Sequence, residues 1–296
     1  MATPPSQTAA KIAQEALSKC GISSTANDKL QRAERTFLRE ILSDICTSPG
    51  RSFNNRLKSL QSKSVQISVS GKSKYALPTD FDEEISVTVL SGTHSGTAQA
   101  GASTTITLES GEDATQEDLE GNYILITSGT GSTGLRQCIS YNTSTLVATV
   151  DSAWDTTPDN TSVYSVIDSV TEIDEDDISE FEGIGRQFNK STPSFYNKTF
   201  DTGLQYIYFD IPFDAATYGI ITRYYANIEK VDLASTIMST IYTNWFNCLT
   251  MGTAMKVAED EDDSKFAVFQ SQYAELKANL LAKETPFGVE FDGFTL

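Results

Sequence analysis

Apolar positions recur at helical spacing near both ends of the chain and at strand spacing in between. Ile12, Ala13, Ala16 and Leu17 share one face of a helix predicted from Thr8 to Cys20, with Gly21 as its stop. Asn27 or Asp28 caps a stronger helix carrying Leu30, Ala33, Phe37, Leu38, Ile41, Leu42 and Ile45 inward. Its outer face is charged (Lys29, Arg32, Glu34, Arg35, Arg39, Glu40), and Pro49-Gly50 ends it. The polar, basic stretch Arg51 to Ser64 predicts a third, weaker helix, after which Val65, Ile67 and Val69 alternate as an edge strand. The pattern changes at Lys74 to Val89. Pro78 biases Leu77 towards extended backbone, Thr79, Asp80 and Asp82 favour a turn, and Ile85, Val87 and Val89 alternate with polar residues as a half-buried strand.

Between about Ser91 and Ile167 the chain reads as a compositional unit of its own. Strands are predicted at Thr105 to Leu108, Tyr123 to Thr127, Leu135 to Tyr141, Leu146 to Val150 and Val163 to Ile167, separated by Gly-, Ser- and Asp-rich turns. That spacing points to a small sandwich or barrel, with Trp154 as the core aromatic. Val166 to Val170 mirrors the alternation of Ile85 to Val89, so the two segments are expected to pair and the β unit to be an insertion with adjacent ends.

After an acidic stretch, Glu172 to Glu182, two more strands are predicted: Leu204 to Ile211, and Tyr218 to Ile228. A hairpin across Phe213 to Thr217 would join them. Helices return from Leu233 to Ala258 and, after Glu259-Asp-Glu-Asp-Asp263, from Asp263 or Ser264 to about Lys283; the short acidic loop makes them antiparallel neighbours. The tail from Pro286 to Leu296 carries Phe287, Val289, Phe291 and Phe294 with no helical face to join, which suggests docking on a partner. The expected fold is thus α+β: a helical bundle of N- and C-terminal helices with a β-hairpin, plus an inserted all-β sandwich or barrel. The expected segments are 1–90, 91–167, 168–285 and the tail 286–296.

Composition narrows the functional classes. With 22 Lys+Arg against 40 Asp+Glu the formal charge is −18, so nucleic acid and anionic membranes should be repelled unless a local basic patch intervenes. No apolar run is long enough to span a membrane. The N-terminus lacks the basic and apolar regions of a signal peptide, and the four Cys (20, 46, 138, 248) form no CxxC pair. Free thiols in a reducing cytoplasm are expected.

Candidate chemistry is sparse. Gly129-Thr-Gly131-Ser-Thr-Gly134 fits GxGxxG, but a strand and not a helix is predicted after it, so a hairpin turn is the better reading than a dinucleotide site. The single histidine, His94, lies in a Ser/Gly/Thr stretch expected to be an exposed loop. The acidic runs lack the DxDxDG spacing of a calcium loop. No catalytic residue, cofactor site or metal site is expected. Trp154 and Tyr164 are the candidate platforms for an alternative carbohydrate- or receptor-binding role, with core packing as their other reading.

The order of parts carries a resemblance. Two N-terminal helices are followed by Tyr75-Ala-Leu-Pro-Thr-Asp-Phe81, then Thr192-Pro-Ser-Phe-Tyr196, Tyr206-Ile-Tyr-Phe-Asp-Ile-Pro212, Tyr218 to Tyr225, and a closing helical pair, Trp245 to Glu259 and Phe266 to Glu284. Outside the insertion the chain resembles the head-to-tail adaptor (connector) proteins of tailed bacteriophages. The insertion resembles β modules of some phage structural proteins through Gly96-Thr-Ala-Gln-Ala-Gly101, Gly121-Asn-Tyr-Ile-Leu-Ile126 and Trp154 to Tyr164. The large insertion departs from the smallest adaptors. The resemblance implies a non-enzymatic virion protein made in the host cytoplasm. It implies a homo-oligomeric ring, usually twelve-fold, between the portal protein and the tail (nozzle or tube) proteins, with a terminal extension on the portal. Glu259, Asp260, Glu261, Asp262 and Asp263 are the candidates for an acidic channel lining past which genomic DNA slides without sticking.

Overall fold

The computed structural model describes residues 8–23, 27–46, 57–92, 94–175, 191–201, 204–228 and 236–284. These form a mixed α+β structure with two seven-stranded sheets. They divide into two compact units. Among the described residues, one holds those up to Ser62, Asp80–Glu83 and those from Tyr225 to Glu284; the other holds Lys63–Thr79 and those from Glu84 to Tyr224.

Helix α1 (Ala9–Lys19) starts where Thr8 Oγ1 accepts from the Lys11 amide at 3.2 Å. It ends at Gly21, whose φ of +75° lets the Ile22 amide turn back to the Leu17 carbonyl. Helix α2 (Asn27–Arg32) runs through one π-helical turn (Ala33–Phe37) into α3 (Leu38–Cys46). A short helix, α4 (Gln116–Leu119), lies in the second unit, and α5 (Thr236–Asn244), α6 (Phe246–Asp260) and α7 (Phe266–Glu284) follow. The single helix expected from Leu233 to Ala258 is broken at Trp245, whose buried indole donates to Glu284 Oε1 at 2.9 Å.

N- and C-terminal helices pack on one another: α1 and α3 both meet α6, and α6 meets α7. Small residues set the spacing, with Ala16, Ala254, Ala258 and Phe269 in one cluster and Ala13, Leu17, Ala33, Phe37 and Val257 in another. A Cβ on Gly252 would fall 2.8 Å from both Ile41 Cγ2 and Tyr273 Cε2, so only glycine allows this approach of helices.

The strands, in chain order, begin with β1 (Gln61–Ile67), β2 (Lys74–Ala76) and β3 (Phe81–Ser91). The intervening segment carries β4 (His94–Thr97), β5 (Ala100–Ala102), β6 (Thr105–Thr107), β7 (Tyr123–Ser128), β8 (Leu135–Asn142), β9 (Val147–Val150) and β10 (Val163–Ile167). It returns through β11 (Ser169–Glu175), β12 (Phe195–Asp201), β13 (Leu204–Phe209) and β14 (Gly219–Ala226).

The first sheet has the order β1-β14-β3-β11-β12-β13-β2. Strands β3 and β11 pair antiparallel, Ser91 opposite Ser169 and Val87 opposite Ile173, so the segment between them leaves and re-enters one ladder. The expected pairing with Val166 to Val170 holds only in part: Val166 and Ile167 belong to β10 of the second sheet, and β3 pairs with Ser169 to Ile173. Two expectations fail. Of the third helix expected over Arg51 to Ser64, residues 51–56 lie outside the described residues, Lys58–Leu60 form a single 3-10 turn, and from Gln61 the chain enters β1, whose pairing with β14 overrides a weak helical pattern. The hairpin across Phe213 to Thr217 does not form, because β13 and β14 are separated by β3, β11 and β12. The hairpin present is β12–β13, from Tyr196 opposite Phe209 to Asp201 opposite Leu204. Residues after β13 instead bond the β1–β2 connection, with the Gly71 amide on the Phe213 carbonyl and the Phe213 amide on the Lys72 carbonyl. Tyr75, Phe209 and Phe213 meet edge-to-face there, with centroids 5.2–5.8 Å apart.

The second sheet has the order β4-β10-β7-β8-β9-β6-β5. Side chains from β6, β7, β8, β9 and β10 converge with Leu119 of α4 and Trp154 on one core, so the sheet curls around it as a half-barrel. Within the same unit, Leu125 and Leu135 of this sheet pack with Leu90, Ile167 and Ile221.

Candidate functional site

The acidic connection between α6 and α7 is built by helix ends. Asp262 takes φ +52°, the Asp263 side chain accepts from the Lys265 amide at 2.9 Å, and the Asp263 carbonyl accepts from Phe266. The five candidate carboxylates are not equivalent. Glu259 pairs with Lys256 at 3.2 Å, Asp260 with Arg32 at 2.7 Å and Glu261 with Lys29 at 2.6 Å. Asp262 and Asp263 make no ion pair among the described residues. The loop is therefore acidic on balance, yet three of its charges face cations of its own unit, which lowers the field it projects. Beside it Leu17, Phe37 and Val257 floor a small cleft of about 150 Å³, rimmed by Asp28, Lys29, Arg32, Asp260 and Glu261. The docking-tail residues Phe287, Val289, Phe291 and Phe294 lie outside the described residues, as does 176–182 of the other acidic stretch.

The GxGxxG stretch is a hairpin turn. Gly129 and Gly131 have φ of +77° and +78°, the Ser132 amide returns to the Gly129 carbonyl, and β8 follows directly. A Cβ on Gly129 would lie 1.9 Å from the Thr161 carbonyl oxygen. The glycines thus serve the turn, and no helix N-terminus stands where a pyrophosphate would need one. Trp154 is only 6% exposed and Tyr164 is fully buried, so neither ring is available as a sugar platform. Three of the four thiols are poor nucleophiles: burial, foremost, pushes Cys20 and Cys138 up to about 11 and Cys248 to about 12, leaving them protonated near neutral pH.

His94 departs from expectation. It sits on the edge strand β4 and not in a free loop, with its ring three-quarters covered. Its Nδ1 lies 3.0 Å from Glu112 Oε1 and 3.6 Å from Asp113 Oδ1, and its Nε2 lies 4.0 Å from Asp118 Oδ2. Glu112 is almost wholly buried; its Oε1 accepts from the Ala114 amide at 3.1 Å and its Oε2 from the Tyr164 hydroxyl. Burial and that hydrogen bond hold Tyr164 well above the usual phenol range. Asp118 accepts from the amide and hydroxyl of Thr115 at 2.7 and 2.8 Å, which holds it below the usual carboxylate value with His94 as a lesser cause. The signal in the sequence was one histidine near an isolated Glu-Asp pair; what brings them together is that β4 and the 109–115 loop flank the same buried tyrosine.

No protein-family model matches this chain, and no curated protein does. No helix among the described residues is long and apolar enough to cross a membrane.

Proposed function

We propose that the chain is a non-enzymatic structural protein of a tailed-phage virion, a head-to-tail adaptor. In this reading its helical unit is a bundle that packs side by side with further copies into a ring, twelve-fold in the usual case, between the portal and the tail proteins. The ring is seated at the head-tail junction, and the 91–167 segment forms an inserted β domain. The observation that carries the reading is the order of parts: helices from the two ends of the chain share one core, while the strands and the β segment lie between them in sequence. Two further features support it. Phe200, 72% exposed, stands near the end of the β12–β13 hairpin, an exposed aromatic ring suited to assembly. A formal charge of −18 suits a conduit past which DNA moves freely. The burial of Trp154 and Tyr164 removes the residues on which the carbohydrate-binding alternative relied.

The test mixes the purified full chain with portal rings and images them by negative stain. The expected result is an annular layer on the portal's tail-side face, lost on truncation after Glu284 while the circular dichroism melt is kept. No association of the intact chain, or tight salt-resistant DNA binding by it, overturns the proposal.

A further inference from the structure

Glu112 poses an electrostatic problem. Its carboxylate is only 4% exposed, and among the described residues the one basic side chain beside it is His94. A buried carboxylate is tolerated when it is paired or coordinates a metal. His94 Nδ1, Glu112 Oε1 and Asp113 Oδ1 all lie within 4.8 Å of one another. Two of the separations are 3.0 and 3.6 Å, on either side of the roughly 3.3 Å edge of a tetrahedron with metal–ligand bonds of about 2.0–2.1 Å. We propose that His94, Glu112 and Asp113 bind one divalent transition-metal ion of the Zn²⁺ class.

The surroundings are those such a site needs. The Tyr164 hydroxyl and the Ala114 amide fix the Glu112 carboxylate. Asp118 lies 4.0 Å from the other ring nitrogen of His94, an acidic neighbour beyond hydrogen-bond distance, and is itself pinned by Thr115. One dication neutralises the two carboxylates while leaving His94 uncharged; an imidazolium offsets only one of them. The imidazole ligand selects against Ca²⁺ and Mg²⁺, which take oxygen donors. Asp113 is 92% exposed, which leaves an entry path and a fourth position for water. The ion would clamp the short edge strand β4 to the 109–115 loop and so close one margin of the second sheet.

The test strips the full chain with a chelator and titrates Zn²⁺ by calorimetry and Co²⁺ by visible absorption. Expected are one ion per chain, a tetrahedral-type Co²⁺ spectrum, and no competition from equimolar Ca²⁺. Asp113→Asn alters an exposed side chain and should keep the far-ultraviolet spectrum, while weakening Zn²⁺ binding by tenfold or more, at least the effect of losing an outer partner. His94→Ala should abolish the Co²⁺ spectrum. The proposal is overturned by no Zn²⁺ uptake, by equal binding of Ca²⁺, or by unchanged affinity in Asp113→Asn.

Discussion

Glu284 is placed against electrostatic preference, which makes it a sharp probe of the helical unit. It is the last residue of α7, where the helix dipole disfavours a carboxylate by about 0.3–1 kcal/mol. It is nonetheless buried, because three donors converge on it. The Trp245 indole donates to Oε1 at 2.9 Å, the Ser59 hydroxyl to Oε1 at 2.7 Å and the Ser59 amide to Oε2 at 2.9 Å. Glu284 therefore ties the break between α5 and α6 to the chain entering β1. In Glu284→Ala the indole and the Ser59 amide lose their acceptor, each at about 1–3 kcal/mol when buried. Allowing for relief of the dipole and some water entry, the net loss is about 3 kcal/mol. At about 2–4 °C per kcal/mol for a domain of this size, the melt should fall by about 6–12 °C. Thermal circular dichroism at the helical band measures it. A double-mutant cycle with Trp245→Phe should return a coupling of about 1 kcal/mol or more, as expected for contacting groups. A Glu284→Ala melt within about 2 °C of wild type, or additive single effects, would refute the reasoning.

Two further outcomes follow from the geometry. Burial tends to raise Asp44, but hydrogen bonds from Lys277 (2.7 Å) and Tyr273 (2.6 Å) outweigh it and hold the carboxyl below its ordinary value. A depressed folded pKa contributes stability above the unfolded value of about 3.9 that is lost as pH falls through the folded one, so the stability gap between wild type and Asp44→Asn should narrow from about pH 6 to about pH 3. Denaturant titrations across that range check it, and a pH-independent gap contradicts it. Gly129→Ala should cost about 2 kcal/mol or more, since alanine meets both a positive φ and the Thr161 carbonyl. Dinucleotide should protect neither protein in a thermal-shift assay; protection of wild type alone would reinstate a nucleotide reading of the GxGxxG turn.

Local patterns along the chain determined much of this protein. The α1 face of Ile12, Ala13, Ala16 and Leu17, the Gly21 stop and the strands β6 to β10 all follow from side-chain period and turn chemistry, which act within a few residues. The alternation of Val87 and Val89 pointed to a partner strand near Val170, but the register puts Val87 opposite Ile173, the one buried residue of β11, and leaves Val170 exposed. Which strands become neighbours was decided elsewhere. Strands β13 and β14 look like a hairpin in sequence, yet the β1–β2 connection captures the residues between them, and strand order is set by those long-range bonds. The pairing of Gln61 to Ser64 in β1 is tertiary for the same reason: an edge strand is stabilised by its neighbour more than by its own residues. His94 illustrates the limit most plainly. Its neighbours in sequence are Ser, Gly and Thr, and nothing at that range marks it. Its chemistry comes from Glu112, Asp113 and Asp118, residues that only the folding of β4 beside the 109–115 loop brings within reach of one ring.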